Sequence, residues 1–265
     1  MIKKQLVNEL LWKNIKSMPY FRAFLRAVEG EFWKQIQLIE PVLDVGCGDG
    51  LFAYCSFDGP IFCGIDQNYA SLLEARDLRT YSNLICASAC AIPFKSDEFM
   101  TLMSNSVLEH IPDLQTTLSE IFRVLTKNSK FIFCVPNSMF SKNLFFALQL
   151  EKIGLRKIAE MYRSFFNKIS RHYHVEDEKF WIDKIQDIGL QVENTWRYFS
   201  PQALKILELG PIFGIPSLLC KIIFGKWIVV PKMWNLKWIY SYIEKQFLKE
   251  TLNPKGVYSF YVIHK

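Results

Sequence analysis

The sequence has no CxxC pair and no cysteine–histidine spacing of a zinc site, although it holds seven cysteines. An odd number without such spacing excludes a disulfide scaffold and a structural zinc motif. Most of these cysteines stand inside apolar runs, where a thiol behaves as a small buried hydrophobe. A reducing cytoplasm is the expected setting. No apolar core follows Met-Ile-Lys-Lys, because Glu9, Lys13 and Lys16 interrupt it, so no secretory leader is expected. The longest uncharged apolar stretch late in the chain, Leu209–Cys220, is 12 residues long with Pro211 and Pro216 inside it. A spanning helix needs about 20. There is no internal repeat, no low-complexity linker and no collagen-like period. Disorder is excluded by a composition that is 50% apolar and 15% aromatic.

What is present suits one elaborated domain or two small ones: 265 residues with a net charge of +6. The charge is uneven. Residues 1–136 carry 13 basic and 15 acidic side chains, whereas residues 137–265 carry 19 and 11. The two halves are therefore expected to do different jobs.

Residues 5–17 and 20–38 have the spacing of amphipathic helices, the second behind Pro19. The period then changes. Short β-branched apolar runs stand at 41–45, 61–65, 83–87, 99–104 and 130–135. Helical patterns at 69–81 and 114–127 separate some of them. This alternation predicts βαβ units and a parallel sheet buried on both faces. Beyond Pro136, residues 140–170 predict one or two helices and 176–188 another. Residues 192–199 and 257–264 predict two more strands, with a basic, aromatic insertion at 200–256 between them.

The most informative segment is Leu43-Asp44-Val45-Gly46-Cys47-Gly48-Asp49-Gly50, after a strand and before a helical run. Its glycines let the backbone adopt positive φ and pass close to a ligand. The spacing is GxGxG, with Leu51 where the dinucleotide turn has its third glycine. Asp44 would repel a pyrophosphate and suits an ammonium. Asp66 ends the second strand 20 residues after Gly46, where an acid accepts two hydrogen bonds from ribose hydroxyls.

This turn, set in strand–helix alternation, resembles the class I S-adenosylmethionine-dependent methyltransferases, and most nearly those with the type 11 methyltransferase domain. Gly64-Ile65-Asp66 is similar to the family's acidic ribose-binding strand end, and 87–94 to its loop beside the adenine. Residues 104–113 are similar to the segment after strand four. The resemblance covers 41–136 well and 171–199 in part. It implies a Rossmann-like, seven-stranded, mostly parallel sheet with helices on both faces. To this are added a helical N-terminal extension (1–40) and a helical, aromatic-rich insertion (200–256) between the core (41–199) and its last strand (257–265). It also implies S-adenosylmethionine as cofactor, held by Asp44, Gly46, Gly48 and Asp66. Gln67, Ser88 and Ala89 would border the adenine, and Asn105 the amino acid end.

Two positions depart from the family's pattern. Ser88 stands where an acid contacts the exocyclic amine, and a hydroxyl can still accept that bond. Asn128-Ser129 replaces Gly-Gly before strand five, and Asn tolerates left-handed geometry.

Methyl transfer requires alignment and exclusion of water, with a general base only where the nucleophile must lose a proton. His110 and His174 are the candidates for that base. His110 follows Glu109 at the ligand-gathering edge of strand four, where it could equally cap the next helix or contact the cofactor's amino acid part. In related methyltransferases of quinone precursors a Glu-His pair here holds a divalent metal with a further acid. Ser106 occupies that acid's place, so no metal is expected. His172 and His174 precede the helix at 176–188, either packing there or lining the substrate side, with no third metal ligand at suitable spacing.

The insertion 200–256 holds 8 Lys, no Arg and 3 Glu beside Trp227, Trp234, Trp238, Tyr240 and Tyr242. This mixture fits a lid over a hydrophobic pocket, or a peripheral membrane contact through 206–240 at the inner face of the membrane. Both readings point to a small hydrophobic acceptor of lipid-like, prenyl or polyketide type. Nucleic acid is not an expected partner, since arginine is absent there. The rival readings are a non-catalytic scaffold that keeps the cofactor pocket, and an NAD-dependent oxidoreductase disfavoured by Leu51 and Asp44.

Overall fold

The computed structural model describes residues 2–250 and 252–265, with side chains from Glu9 onward. Met1 and Thr251 lie outside the described residues. Seven strands form one sheet: β1 (Val42–Val45), β2 (Ile61–Asp66), β3 (Tyr81–Cys86), β4 (Phe99–Asn105), β5 (Leu125–Pro136), β6 (Gln191–Tyr198) and β7 (Tyr258–His264). Their order is β3-β2-β1-β4-β5-β7-β6. Neighbours run parallel except β7, which is antiparallel to both β5 and β6. The order turns at β1, with β2 on one side and β4 on the other. That switch point is where open α/β sheets bind ligands, beyond the carboxyl ends of the strands.

Strand alternation sends side chains to two separate cores. On β5 and β7, Ile132, Cys134, Phe260 and Val262 face one core, shared with the helices α1 (Ile2–Ile15) and α2 (Tyr20–Trp33). Phe131, Phe133, Tyr261 and Ile263 face the other. The first core also takes α3 (Leu51–Ser56) and α4 (Tyr69–Leu78), and the second takes α5 (Leu114–Val124).

Three of the helix ends that fall short of the sequence pattern do so for a local reason. α2 stops at Trp33 rather than 38, because the Ile39 backbone is already tied to the Thr101 hydroxyl at 2.9 Å. α4 stops at Leu78, where Arg79 turns left-handed and Tyr81 begins pairing with Ile61. α5 stops at Val124, because Leu125 pairs with Phe99. Asn128, expected in a turn before the fifth strand, lies inside β5, where its φ of 60° marks an irregularity in the pairing with β4.

Between β5 and β6 lie α6 (Met139–Lys142), α7 (Phe145–Lys152), α8 (Arg156–Ile169) and α9 (Glu178–Asp187). The 140–170 region is thus three helices, broken at Asn143 and at Gly154, whose φ is 83°. The insertion forms α10 (Pro201–Phe213), α11 (Ile215–Phe224) and α12 (Met233–Phe247). All seven cysteines are free thiols. Among the described residues no single helix is long and apolar enough to cross a membrane.

Candidate functional site

At the switch point the strand ends surround a cavity of about 650 Å³. Asp44, Gly46 and Gly48 line it from β1, Asp66 and Gln67 from β2, and Ser88 and Ala89 from the loop after β3. Asn105 and Ser106 line it from β4, and His110 from the short 3-10 turn Leu108–His110. Every expected cofactor residue therefore borders one space.

The glycine turn is built for that space. Gly46 has φ of +79°, and a Cβ there would lie 2.4 Å from Val107 Cγ1. Only glycine fits the crossing of β1 past the β4 end. Gly48, with φ of +56°, would have a Cβ that meets nothing within 4 Å, so its backbone is open to the cavity. The turn is latched to β2. Gly46 and Cys47 donate to the Ile65 carbonyl at 2.8 and 3.0 Å. Gly48 N–H donates to Asp66 Oδ2 at 2.9 Å, and Asn68 N–H to Asp66 Oδ1 at 2.7 Å. Each carboxylate oxygen keeps acceptor capacity, since it has two lone pairs.

Asp44 is buried, and the Tyr81 hydroxyl donates to its Oδ2 at 2.6 Å. Burial pushes the Asp44 carboxyl up to about 7, against the pull of the Tyr81 hydrogen bond and with a further push from the Asp66 charge.

Helix α2 supplies residues that nothing in the sequence marks as part of a site. Arg22 and Arg26 line the cavity. Arg26 pairs with the buried Glu29 at 2.5 Å and donates to the Ser106 hydroxyl at 2.9 Å. Burial works against the Arg26 charge, but the Glu29 carboxylate outweighs it and holds the guanidinium charged. Glu29 also accepts from Asn105 Nδ2 at 2.8 Å, Ser106 Oγ at 3.2 Å and Tyr198 OH at 3.1 Å. The Asn105 side chain is committed to this network, because its Oδ1 accepts from Trp33 Nε1 at 2.8 Å and from Cys134 at 3.0 Å.

The two candidate bases separate. His110 borders the cavity, and its Nδ1 bonds the Arg171 carbonyl at 3.0 Å. A carbonyl only accepts, so Nδ1 carries the proton and Nε2 the lone pair. Burial lowers the His110 pKa, and its Nε2 lies 3.7 Å from Glu109 Oε1. His174 does not line the cavity. Its Nε2 bonds the Ile111 carbonyl at 3.0 Å, and Tyr173 and His174 N–H donate to the Glu109 carbonyl. Its place in the fold is a clamp between two loops.

Ser106 stands in the place of the further acid, but the fold brings another side chain to Glu109 and His110. His172 comes to them, with one ligand atom of each residue within 4.8 Å of the others. Two nitrogens and one oxygen are donors suited to a transition-metal cation. Spacing gave no sign of this, since 62 residues separate His110 from His172.

A switch-point cavity with an open glycine turn, a latched acid on the second strand and Leu51 in place of the dinucleotide motif's third glycine defines a nucleoside-binding α/β domain other than the dinucleotide type. Residues 43–133 match the methyltransferase domain family. The malonyl-[acyl-carrier protein] O-methyltransferase of Salmonella typhimurium is 33% identical over 85 residues, 32% of this chain and 34% of that protein. The botryococcene C-methyltransferase of Botryococcus braunii is 34% identical over 101 residues, 34% of this chain and 26% of that protein. The chain spans two fifths or less of the length of the curated relatives it matches. In fold, a solved S-adenosylmethionine-dependent methyltransferase from Thermotoga maritima, described as a possible histamine N-methyltransferase, has a TM-score of 0.59 and 14% identity, covering 93% of this chain and 91% of that one. Over residues 43–133 the chain is similar to the methyltransferase domain family, and its fold is that of solved S-adenosylmethionine-dependent methyltransferases.

Proposed function

We propose that the protein transfers a methyl group from S-adenosylmethionine to a small apolar acceptor. The observation that carries this is the single cavity shared by the open glycine turn, Asp66, the Ser88–Ala89 loop and the α2 arginines. Its volume lies within the range of small-molecule and cofactor sites, about 300–1,000 Å³.

When bound, S-adenosylmethionine supplies an electrophilic methyl on a sulfonium sulfur. The chain's own task is to hold, align and exclude water. Asp66 would accept from the ribose hydroxyls, Ser88 and Ala89 would border the adenine, with Gln67 beside them. Asp44 would face the ammonium, and Arg26 and Arg22 the carboxylate, at the amino acid end near Asn105. Met18, Phe52, Val107, Ile111 and Pro112 give the cavity an apolar wall, which suits an apolar acceptor. His110 Nε2 is the base for an acceptor that must lose a proton. The same reading keeps the protein in the cytoplasm, where free thiols stay reduced.

Asp44 makes cofactor affinity depend on pH. An ammonium beside it favours the carboxylate, which the free protein has lost below about 7. Affinity for S-adenosylhomocysteine is therefore expected to rise from pH 5.5 towards pH 8. The slope approaches tenfold per unit at the acid end, as one proton is displaced on binding. Calorimetry across that range checks it, and Asp44→Asn should flatten the profile.

Turnover is tested by S-adenosylhomocysteine release with a panel of quinols, phenols and prenyl compounds. Release with any of them supports the enzyme. Cofactor binding with no release from any acceptor would favour the scaffold reading. Binding of NAD in place of S-adenosylmethionine would overturn both.

A further inference from the structure

Two helical segments carry most of the molecule's exposed apolar bulk and all of its positive excess. Residues 139–171 and 200–256 hold 23 of the 28 exposed large apolar side chains among the described residues. They also hold 15 of the 32 Lys and Arg but 5 of the 26 Asp and Glu. Their net charge is +10, and the remainder of the chain is −4. A solvated face places charge where apolar side chains are absent. Here the two coincide, as on helices that lie in a membrane interface.

On α8, Ile158, Met161, Phe165 and Ile169 recur at helical spacing on one face, and Met161 is 71% exposed. Arg156, Lys157 and Lys168 flank that stripe. Helix α11 buries none of its residues, and Ile222 and Ile223 are 71% and 67% exposed. On α12, Trp234 and Trp238 stand four residues apart at 77% and 73% exposure, interleaved with Lys232 and Lys237. Amphipathic rings beside lysines are the side chains that settle at the headgroup level.

The surface lies on the membrane rather than across it. Helices α10 and α11, bent by 50°, together have the length and composition of a span. Yet α10 is held to the body. Its buried Glu208 accepts from the Phe145 and Phe146 backbone and from Tyr162 OH at 2.5, 3.1 and 2.7 Å. Those bonds also join α10 to α7, so the two exposed segments adjoin. The α11–α12 connection reaches the cavity's rim, where the cavity-lining Arg22 lies over the Trp227 ring at 5.8 Å, and Lys221 of α11 pairs with Glu74 of α4 at 2.5 Å.

We propose that α11, the tryptophan face of α12 and the exposed stripe of α8 form one docking surface for an anionic lipid bilayer, from which a bilayer-resident acceptor reaches the cavity. The acceptor clause rests on the methyltransferase reading; the docking does not.

The test is cosedimentation of the full chain with vesicles of phosphatidylglycerol and phosphatidylcholine, against phosphatidylcholine alone, at 50 and 500 mM NaCl. Partition should favour the anionic vesicles by at least about tenfold at low salt and weaken at high salt, because the attraction of lysines to an anionic surface is screened by salt. Brominated lipids should quench tryptophan fluorescence. Ile222→Glu with Phe224→Glu, and separately Met161→Glu with Phe165→Glu, should each lower partition by at least about tenfold. Both pairs should keep full affinity for S-adenosylhomocysteine, measured by calorimetry. Absent partition at 50 mM NaCl in protein that binds S-adenosylhomocysteine would overturn the docking surface. So would a dimer in light scattering that these substitutions dissolve while vesicle partition stays unchanged. Loss of S-adenosylhomocysteine binding in the unaltered chain would instead overturn the methyltransferase reading and leave the docking standing.

Discussion

Arg26→Met is expected to lower unfolding free energy by about 3–5 kcal/mol, because it strands the Glu29 carboxylate in the interior. Glu29 has no exposure to water and, among the described residues, pairs with one cation, Arg26, at 2.5 Å. Its other partners, Asn105, Ser106 and Tyr198, are neutral donors. Hydrogen bonds from neutral groups do not replace a counter-charge in a low-dielectric site. The double variant Arg26→Met, Glu29→Gln removes both charges and keeps an acceptor and a donor for the network. It should recover most of the loss, since a buried pair replaced together costs far less than a broken one. Urea denaturation of the two variants gives the coupling directly. If the single variant unfolds within about 1 kcal/mol of the unaltered chain, Glu29 is not buried as described. The double variant also separates structure from function. Restored stability with weakened S-adenosylhomocysteine binding assigns Arg26 a second role, at the cofactor's carboxylate. Restored stability with unchanged binding confines it to the scaffold.

That arginine illustrates what a sequence leaves hidden. The strands announce themselves through β-branched runs, and the glycine turn through residues that no ordinary strand–helix junction needs. Asp66 is legible because strand length and turn position fix its distance from Gly46. These signals are local, and the cavity is built largely from them. Arg22, Arg26 and Glu29 sit on an amphipathic helix, where polar residues between apolar ones predict a face turned to water. Only the packing of α2 beneath the β4 end shows that this face covers the site. His172 is hidden for the same reason. Its meeting with Glu109 and His110 depends on backbone bonds from Tyr173 and His174 to the Glu109 carbonyl, which spacing does not encode. The insertion 200–256 reads truly in composition and ambiguously in role. Lid and membrane face make the same demand for apolar bulk, and the fold sets Trp227 beside Arg22 while α11 buries none of its residues.

Asp66→Ala is expected to weaken S-adenosylmethionine and S-adenosylhomocysteine binding by about 100-fold or more. The two charge-assisted hydrogen bonds that the proposed reading gives Asp66 to ribose hydroxyls would be lost, each worth roughly 1.5–3 kcal/mol. A second cost acts before any ligand arrives. Asp66 holds the Gly48 and Asn68 amides, and Gly48 is the residue whose backbone opens to the cavity. Without the carboxylate the turn must be ordered at the moment of binding, which subtracts from affinity. Asp66→Asn distinguishes the contributions. An amide has one oxygen and one NH2 group, so it accepts from one of the two backbone amides and repels the other. It should bind nearly as poorly as the alanine variant, although its shape is preserved. Both variants should unfold close to the unaltered chain, because Asp66 stands at the cavity rim and not in either core. A folded Asp66→Ala protein that keeps its affinity within about threefold would mean that the sugar does not reach the β2 tip. The glycine turn would then serve some other ligand.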